Sequence, residues 1–245
     1  MITRQSAFFL QRKRTFWEYL WKSIFTQHQK AQINQMSRYI EPGSCVIDIG
    51  ANVGFFTRGF ARAAGKDGVI LAFEPQTVPR SILTVASFFK RNQNIQILPF
   101  ALGETSGMLT LNIPFKAKGS VGINLAHGGD PEEMAERFTL KSETVPLARL
   151  DDVLTRYDLG PISMIKIDVE GAELNVLRGA AQTLRTHKPV IICEIDGREH
   201  RFGGSSEALV SFLAELGYLP FSLESGDQLP LDAPERNTVF KIAEV

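Results

Sequence analysis

Three charged residues alternate with aliphatic ones in the run IKIDVE, and they are the strongest chemical signal in the sequence. Lys166, Asp168 and Glu170 lie two residues apart, a spacing that puts them on one side of an extended strand. Charges in a central strand are costly unless they are paired. Open α/β sheets bind their ligands at the carboxyl ends of the strands. The run therefore predicts a functional site at the end of a buried strand.

A second acidic strand end follows at Glu194, which closes the apolar run PVIICE. We expect Asp168 and Glu194 to face each other across a crevice. Close carboxylates raise one another's pKa and supply a general base, or they hold a divalent metal ion together. The sequence leaves both roles open. The four histidines are scattered without metal-ligand spacing, so zinc chemistry is not indicated and no residue is assigned as a metal ligand.

A glycine-containing turn follows the first apolar run and precedes a helix. It begins at Asp48 and Gly50 and ends at Gly54. Glycines at a strand-to-helix turn let the backbone approach a ligand closely, and the helix N-terminus offers unpaired N–H groups. The G-x-x-x-G spacing differs from the GxGxxG of pyrophosphate binders, and the Asp48 carboxylate attracts a cation such as an ammonium or a sulfonium. The turn predicts a nucleoside site for a cationic ligand.

An acid at the end of the second apolar run extends this site. Glu74, followed by Pro75, stands 24 residues after Gly50, near the spacing of about 20 expected for an acid that binds ribose hydroxyls. The ends of two neighbouring strands therefore point at one nucleoside.

The elements that must position these residues are short apolar runs alternating with helical stretches from residue 44 onward. Continuously hydrophobic strands separated by helices predict a parallel sheet covered on both faces, an open doubly wound α/β domain. The last two runs, YLPFSLE and TVFKIAEV, are joined by a loop without a helix, so they predict a hairpin with an antiparallel strand at one end of the sheet. Between residues 103 and 150 we expect an extra strand pair, MLTLNIP and SETVPL, flanking a long glycine-rich loop at 115–141.

The N-terminal region shows helical periodicity over residues 8–40. Two adjacent rows form a wide apolar stripe, Phe16, Leu20 and Ile24 beside Trp17, Trp21 and Phe25. Residues 1–40 also carry seven basic side chains and one acidic side chain. We divide the chain into a helical extension at 1–42 and a main domain at 43–245. The extension is interpreted as a cap, a lid or a homodimer surface, with a basic amphipathic segment lying on a membrane as the alternative.

Composition and charge exclude several classes of protein. The 245 residues suit one large domain with an appendage. Lys+Arg and Asp+Glu are both 27, so we expect no nucleic-acid partner. The longest run without Asp, Glu, Lys or Arg has 12 residues, too short for a transmembrane segment. Cys45 and Cys193 lie in apolar runs that predict buried strands, and without a secretory leader or a disulfide framework we expect a cytoplasmic protein.

Six segments of the sequence resemble the FkbM-type family of S-adenosylmethionine-dependent methyltransferases. They are VIDIGANVGFFT, AFEP, ALGETSG, RLDDVL, IKIDVEGAELNVLRGA and KPVIICEI, within residues 44–197. The resemblance implies the class I methyltransferase fold, a Rossmann-like three-layer αβα sandwich whose seven-stranded, mostly parallel sheet has an antiparallel last strand. It also implies methyl transfer, commonly to a hydroxyl on a sugar or another small natural product. The chain departs from the family pattern at Asp196, where members often carry a histidine.

Carried over residue by residue, the resemblance implies S-adenosylmethionine as the cofactor and assigns its contacts. The methionine part would be held by Asp48, Gly50, Asn52 and Gly54. The ribose hydroxyls would be held by Glu74, with Pro75 beside it, and the adenine would be flanked by Phe100, Ala101 and Leu102.

For the reaction, we expect Asp168, with Glu194 or Glu170, to bind or deprotonate the acceptor hydroxyl, and Lys166 to pair with one of these acids. The small-molecule acceptor is expected at the N-terminal helix and at residues 119–134 of the long loop. Three other interpretations are an NAD-dependent oxidoreductase, a non-catalytic binding protein that keeps the fold, and methylation of RNA or protein. The glycine spacing and the terminal hairpin disfavour the first of these. A divalent metal at the acidic pair stays an open alternative that no ligand motif in the sequence supports.

Overall fold

The computed structural model describes residues 16–23, 29–89, 92, 94–115 and 139–242. These residues form a seven-stranded sheet, a separate three-stranded sheet and the helices that cover them. The strands are β1 (Cys45–Ile49), β2 (Val69–Phe73), β3 (Ile95–Leu98), β4 (Ala101–Leu102), β5 (Gly107–Phe115), β6 (Thr139–Ala148), β7 (Ile162–Ile167), β8 (Val190–Glu194), β9 (Tyr218–Ser222) and β10 (Asn237–Ile242). The helices are α1 (16–23), α2 (Lys30–Ser37), α3 (Phe55–Ala64), α4 (Thr77–Phe89), α5 (Leu150–Leu154), α6 (Glu173–Gly179), α7 (Ala181–His187) and α8 (Ser206–Glu215), and a 3-10 helix spans Arg198–Phe202.

The large sheet has the strand order β3-β2-β1-β7-β8-β10-β9. Its pairs are parallel except those of β10, which runs antiparallel to both β8 and β9. This confirms the predicted mostly parallel, seven-stranded sheet with an antiparallel last strand. The β9–β10 hairpin places β10 between β8 and β9. The edge strand is therefore β9, and the antiparallel strand β10 lies one position inside the sheet instead of at its end.

Strand β1 lies at the centre of the sheet, where the strand order reverses. All five of its residues are buried because helices cover both faces, which explains why the sequence of this strand does not alternate. The chain runs from β1 outward to β2 and β3, and then returns to the other side of β1 at β7 and β8. The carboxyl ends of β1 and β7 therefore border the crevice in which such sheets bind their ligands.

Helices pack on both faces of the sheet and complete the three layers. On one face, α2, α3 and α4 pack through Met36, Phe60 and Leu83. On the other face, α6, α7 and α8 pack through side chains such as Leu177, Leu184 and Leu209. The sheet is thus buried between two layers of helices, as predicted for a doubly wound domain.

The described part of the N-terminal region is helical and packs on the domain as a cap would. Helix α1 contacts Val53, Ile82 and Ala86 through Leu20. Ile24 and Phe25 of the predicted apolar stripe lie outside the described residues, as do residues 1–15. A role of this region in a homodimer stays a prediction.

The small sheet has the order β4-β6-β5. Strands β5 and β6 pair antiparallel from Gly107 opposite Leu147 to Phe115 opposite Thr139, which confirms the predicted extra strand pair. The strands are longer than predicted, so both ends of the predicted 115–141 loop belong to β5 and β6. Residues 116–138, with the predicted acceptor segment 119–134, lie outside the described residues.

Both cysteines are buried in strands, as predicted, Cys45 in β1 and Cys193 in β8. Burial raises the pKa of the Cys45 thiol to about 12, so it stays protonated and packs as a small apolar group. None of the described helices combines the length and the apolar character needed to cross a bilayer.

Candidate active site

A cleft of about 690 Å³ opens at the carboxyl ends of the parallel strands, where the strand order reverses. This volume lies in the range of small-molecule and cofactor sites. The turns after β1, β2, β7 and β8 form its walls, together with residues of the 3-10 helix and of α1. The predicted site residues on these walls are Gly50, Asn52, Glu74, Pro75, Phe100, Ala101, Leu102, Lys166, Asp168, Glu170 and Glu194.

The turn after β1 brings two strand ends into backbone contact. Gly50 has a φ of 79°, and a Cβ atom there would lie 1.9 Å from the carbonyl oxygen of Asp168. The N–H groups of Gly50 and Ala51 both donate to the carbonyl oxygen of Phe73, each at 3.0 Å. The turn is thereby pinned between β7 and β2, and only glycine fits at its first position.

Glu74 connects the turn to the end of β2. Its carboxylate accepts hydrogen bonds from the backbone N–H groups of Asn52 and Gln76, each at 2.8 Å. Burial raises the pKa of Glu74 to about 7, although both hydrogen bonds favour the ionised form. The glycine turn and Glu74 therefore lie next to each other, as their spacing in the sequence predicts, and the hydrogen bond from Asn52 to Glu74 joins them directly.

Lys166 lies between two acids at the floor of the cleft. Its Nζ is 3.2 Å from Oδ2 of Asp168 and 3.8 Å from Oδ1 of Asp48, and it lies 5.1 Å from the centroid of the Phe56 ring. Burial lowers the pKa of Lys166, but the two carboxylates outweigh it and the net pKa is raised. The ammonium is therefore charged at neutral pH, and its predicted pairing with an acid is present.

Two predicted cofactor residues, Asp48 and Gly54, do not line the cleft. Asp48 is fully buried and accepts a hydrogen bond from Thr57 Oγ1 at 2.6 Å. Gly54 precedes α3 with a φ of 80°, and a Cβ atom there would lie 2.1 Å from Cδ1 of Leu83. The contact of these two residues with the cofactor stays a prediction. Asp48 acts on the cleft through Lys166, and Gly54 lets α3 and α4 pack closely.

Asp168 and Glu194 form a hydrogen-bonded carboxyl pair between β7 and β8, as their predicted position across a crevice requires. Burial opposes the ionisation of both groups. At Asp168 the Lys166 charge and the hydrogen bond from Glu194 prevail, so the pKa is lowered. At Glu194 burial and the Asp168 charge raise the pKa to about 7. The pair therefore shares one proton just below neutral pH, because the Asp168 charge opposes the ionisation of Glu194.

Glu170 lies beyond the end of the strand. Strand β7 ends at Ile167, and the chain then turns through Glu170 and Gly171, with φ values of 61° and 110°. Glu170 lines the cleft and forms an ion pair with Arg198. The prediction that Glu170 shares one strand face with Lys166 is wrong, because the backbone leaves the extended conformation before it.

Arg198 contacts three acids, Glu170, Glu194 and Asp196. Asp196, at the position where the family pattern often has histidine, is thus a partner of this guanidinium. Within the described part of the chain, no three His, Cys, Asp or Glu side chains are grouped so as to hold a metal ion. Lys166, Arg198 and Arg236 supply counter-charges to Asp168, Glu170 and Glu194.

The family model of the methyltransferase FkbM domain matches residues 48–220. The chain belongs to the FkbM methyltransferase family. Membership of this family of S-adenosylmethionine-dependent methyltransferases makes methyl transfer the class of reaction and disfavours the NAD-dependent oxidoreductase.

Relatives of this FkbM-family methyltransferase are found among fungal and bacterial proteins. It is 30% identical over 183 residues to methyltransferase sdnD of Sordaria araneosa, covering 66% of this chain and 68% of the relative. It is 24% identical over 220 residues to the 31-O-demethyl-FK506 methyltransferase FkbM of Streptomyces tacrolimicus, covering 82% of this chain and 81% of the relative. The crystal structure of methyltransferase FkbM from Methylobacillus flagellatus KT matches with a TM-score of 0.51 and 15% identity, over 96% of this chain and 58% of that chain. This structural likeness shows the class I methyltransferase fold.

Sequence reasoning predicted Lys166 but missed Arg198 and Arg236, two further basic residues of this FkbM-family site. Arg236 donates to Glu194 Oε1 from Nε at 2.9 Å, and its Nη2 lies 2.7 Å from the same oxygen. It precedes β10, outside the segments that carry the resemblance, and no local pattern connects it with an acid 42 residues earlier. Tyr19 and Lys22 of α1 also line the cleft.

Glu173 was also missed, although it lies in the most specific motif. It is buried, and its Oε1 accepts hydrogen bonds from the N–H groups of Val169 at 3.0 Å and Gly171 at 3.2 Å. Burial raises its pKa to about 7. An acid in the first turn of α6 was the available signal, since such acids satisfy N–H groups near a helix start. Glu173 fixes the turn that carries Asp168 and Glu170.

Proposed function

We propose that this methyltransferase acts on a hydroxyl oxygen of a small acceptor, a sugar or another natural product. The observation that carries the proposal is the Asp168–Glu194 pair on the cleft wall, with a pKa of about 7 at Glu194. O-methylation requires the removal of one hydroxyl proton, and such a pair takes up a proton near neutral pH. The Streptomyces tacrolimicus relative, a 31-O-demethyl-FK506 methyltransferase, supports a hydroxyl acceptor.

The cleft fits the parts of S-adenosylmethionine. Glu74 presents a carboxylate for the ribose hydroxyls, with Pro75 beside it. The segment from Phe100 to Leu102 provides an apolar surface for the adenine. When bound, the cofactor supplies an electrophilic methyl group on a sulfonium, and the carboxylates of the cleft and of Asp48 behind it favour this positive charge.

The residues of the cleft have two tasks in the proposed step, to align the acceptor and to accept its proton. The acceptor oxygen forms a bond to the methyl carbon while the carbon–sulfur bond breaks, and the sulfur keeps the electron pair. The hydroxyl proton passes to the carboxyl pair. Asp168 is held by Lys166, which is held in turn by the buried Asp48, so a chain of ion pairs fixes the orientation of the base.

Two measurements test the proposal. In a calorimetric titration, S-adenosylhomocysteine should bind with a dissociation constant of about 1 μM, or about −8 kcal/mol, and NAD should not bind. Methyl transfer from labelled S-adenosylmethionine should then appear on hydroxyl acceptors in a panel of sugars and natural products that also contains amines and thiols. Methyl transfer to the amines or thiols alone would refute the hydroxyl acceptor.

The role of the carboxyl pair is tested with Asp168→Asn and with a control at an exposed acid, Asp67→Asn. Loss of the base should lower turnover at least about 100-fold in the first variant, with S-adenosylhomocysteine still bound, and should leave the control unchanged. Wild-type turnover in a folded Asp168→Asn protein would remove the pair from the mechanism. Binding without transfer to any acceptor would favour a non-catalytic binding protein.

A further inference from the structure

The N-terminal helix α1 is fastened to the glycine turn by a buried clamp, formed by Ser23, Val53 and Arg58. Ser23 Oγ and Arg58 Nη1 both donate to the carbonyl oxygen of Val53 at 3.1 Å, and Arg58 Nη2 donates to the carbonyl oxygen of Ser23 at 2.6 Å. Ser23 and Arg58 are buried. The last described residue of α1 is therefore held at a fixed place on the turn.

Arg58 places a positive charge next to this part of the turn. The two hydrogen-bond acceptors in the clamp are neutral carbonyl oxygens. Burial and the neighbouring Arg62 lower the pKa of Arg58 to about 10, so the guanidinium remains protonated at neutral pH. Because neutral acceptors do not cancel the charge of a buried cation, its electrostatic field favours an anionic ligand group nearby.

Lys22, next to the clamp, adds a second positive charge on the wall of the cleft. It lines the same cleft as Val53, Phe55 and Phe56, with its Nζ 5.5 Å from the centroid of the Tyr19 ring. The opposite wall carries Asp168, Glu170 and Glu194, which form ion pairs with Lys166, Arg198 and Arg236. Lys22 therefore adds a positive charge on the α1 side of the cleft, away from these ion pairs.

We infer that Lys22 binds the carboxylate of the methionine part of the cofactor and that the clamp positions it there. The inference rests on the proposed function. A ligand carboxylate placed beside the glycine turn would lie next to Lys22, on the wall away from the ion-paired acids, where the charge of Lys22 favours it. The N-terminal helix thus takes part in cofactor binding, in addition to covering the domain.

Two ligands that differ in the amino-acid group isolate this contact. S-adenosylhomocysteine carries the carboxylate, and 5′-methylthioadenosine has the nucleoside without it. Calorimetry with Lys22→Met should show S-adenosylhomocysteine bound about fivefold more weakly than by the wild type, and 5′-methylthioadenosine bound equally. Lys22→Arg, which keeps the charge, should restore most of the affinity. Lys30→Met changes an exposed lysine outside the cleft wall and serves as the control.

The outcomes separate this inference from the proposed function. Failure of the wild type to bind S-adenosylhomocysteine would refute the cofactor site itself. Unchanged affinity of Lys22→Met for S-adenosylhomocysteine, or an equal loss for both ligands, would refute the carboxylate contact alone. Normal cofactor binding with a raised KM for the acceptor would assign Lys22 to the acceptor instead. In Ser23→Ala, which removes one bond of the clamp, S-adenosylhomocysteine should again weaken more than 5′-methylthioadenosine.

Discussion

Gly50 is the position at which one added methyl group tests the geometry of the site most directly. A Cβ atom there would lie 1.9 Å from the carbonyl oxygen of Asp168 and 2.9 Å from its carbonyl carbon. Both atoms belong to the backbone at the end of β7, which pairs directly with β1 in the centre of the sheet. Gly50→Ala therefore has to separate the two strand ends or to move Asp168, whose carboxylate carries the proposed chemistry.

The cost of Gly50→Ala has two parts, and Gly43 separates them. Both glycines have φ values close to 80°, but a Cβ atom on Gly43 would have nothing within 4 Å. The left-handed conformation costs an alanine about 1–2 kcal/mol, partly offset by about 0.4–1 kcal/mol gained through the unfolded chain. Overpacking adds about 1–3 kcal/mol at Gly50 only. We expect a loss of about 1 kcal/mol for Gly43→Ala and about 3 kcal/mol for Gly50→Ala.

Thermal unfolding and cofactor titration measure this difference. For a chain of this size, about 1 kcal/mol shifts Tm by about 2–4 °C, so we expect shifts of about 2–4 °C for Gly43→Ala and about 6–12 °C for Gly50→Ala. Only Gly50→Ala should also weaken S-adenosylhomocysteine binding and lower turnover, because it displaces Asp168. Equal Tm shifts for the two variants, or wild-type turnover in Gly50→Ala, would show that β1 and β7 do not approach so closely.

Three further predictions follow from Glu194, Glu74 and Glu173, each of which has a pKa of about 7. The kcat/KM of the wild type should rise with pH through about 7 as Glu194 ionises. If the pH–rate profile of Glu194→Gln showed the same rise, Glu194 would be excluded as the group responsible for it. Affinity for S-adenosylhomocysteine should fall below pH 7 as Glu74 takes up a proton, and calorimetry of Glu74→Gln should show no such decrease. Glu173 has a pKa raised from 4.5, so the folded state binds more protons than the unfolded state between pH 4.5 and 7, and stability falls as pH rises through this window. Thermal unfolding should therefore show Glu173→Gln to be more stable than the wild type at pH 8 by up to about 3 kcal/mol, with little difference at pH 5, and a destabilised variant at pH 8 would contradict this.

The sequence alone was sufficient to predict which residues come together at the ends of neighbouring strands. The carboxyl ends of parallel strands meet at one edge of a sheet, so Asp168 and Glu194 could be placed together before their distance was known. The register of Gly50 and Glu74 was likewise predictable, because both follow adjacent strands. The structure adds that Glu74 accepts a hydrogen bond from the turn itself.

Strand ends could not predict whether a side chain is buried, or which residues far away in the sequence it contacts. Asp48 lies one residue before the end of β1, and its carboxylate contacts Thr57 and Lys166 inside the protein. Only the packing of α3 on the sheet decides this, and a strand pattern carries no information about it. Arg236, just before β10, reaches Glu194 at the end of the neighbouring strand β8, a contact set by the insertion of β10 beside β8.

Under the proposed function, the charge of the cofactor controls proton transfer through the pKa of the acids in the cleft. Burial and the Asp168 charge raise the pKa of Glu194 to about 7. A positive charge on a bound methyl donor would favour the ionised carboxyl pair and lower the pKa of Glu194, so the pair would accept the hydroxyl proton. Once that charge is lost with the methyl group, the pKa of Glu194 would return to its higher value and the pair would retain the proton. The partial burial of Glu194, which is unfavourable for its charge in the free protein, thus makes its proton affinity sensitive to whether the methyl donor is present.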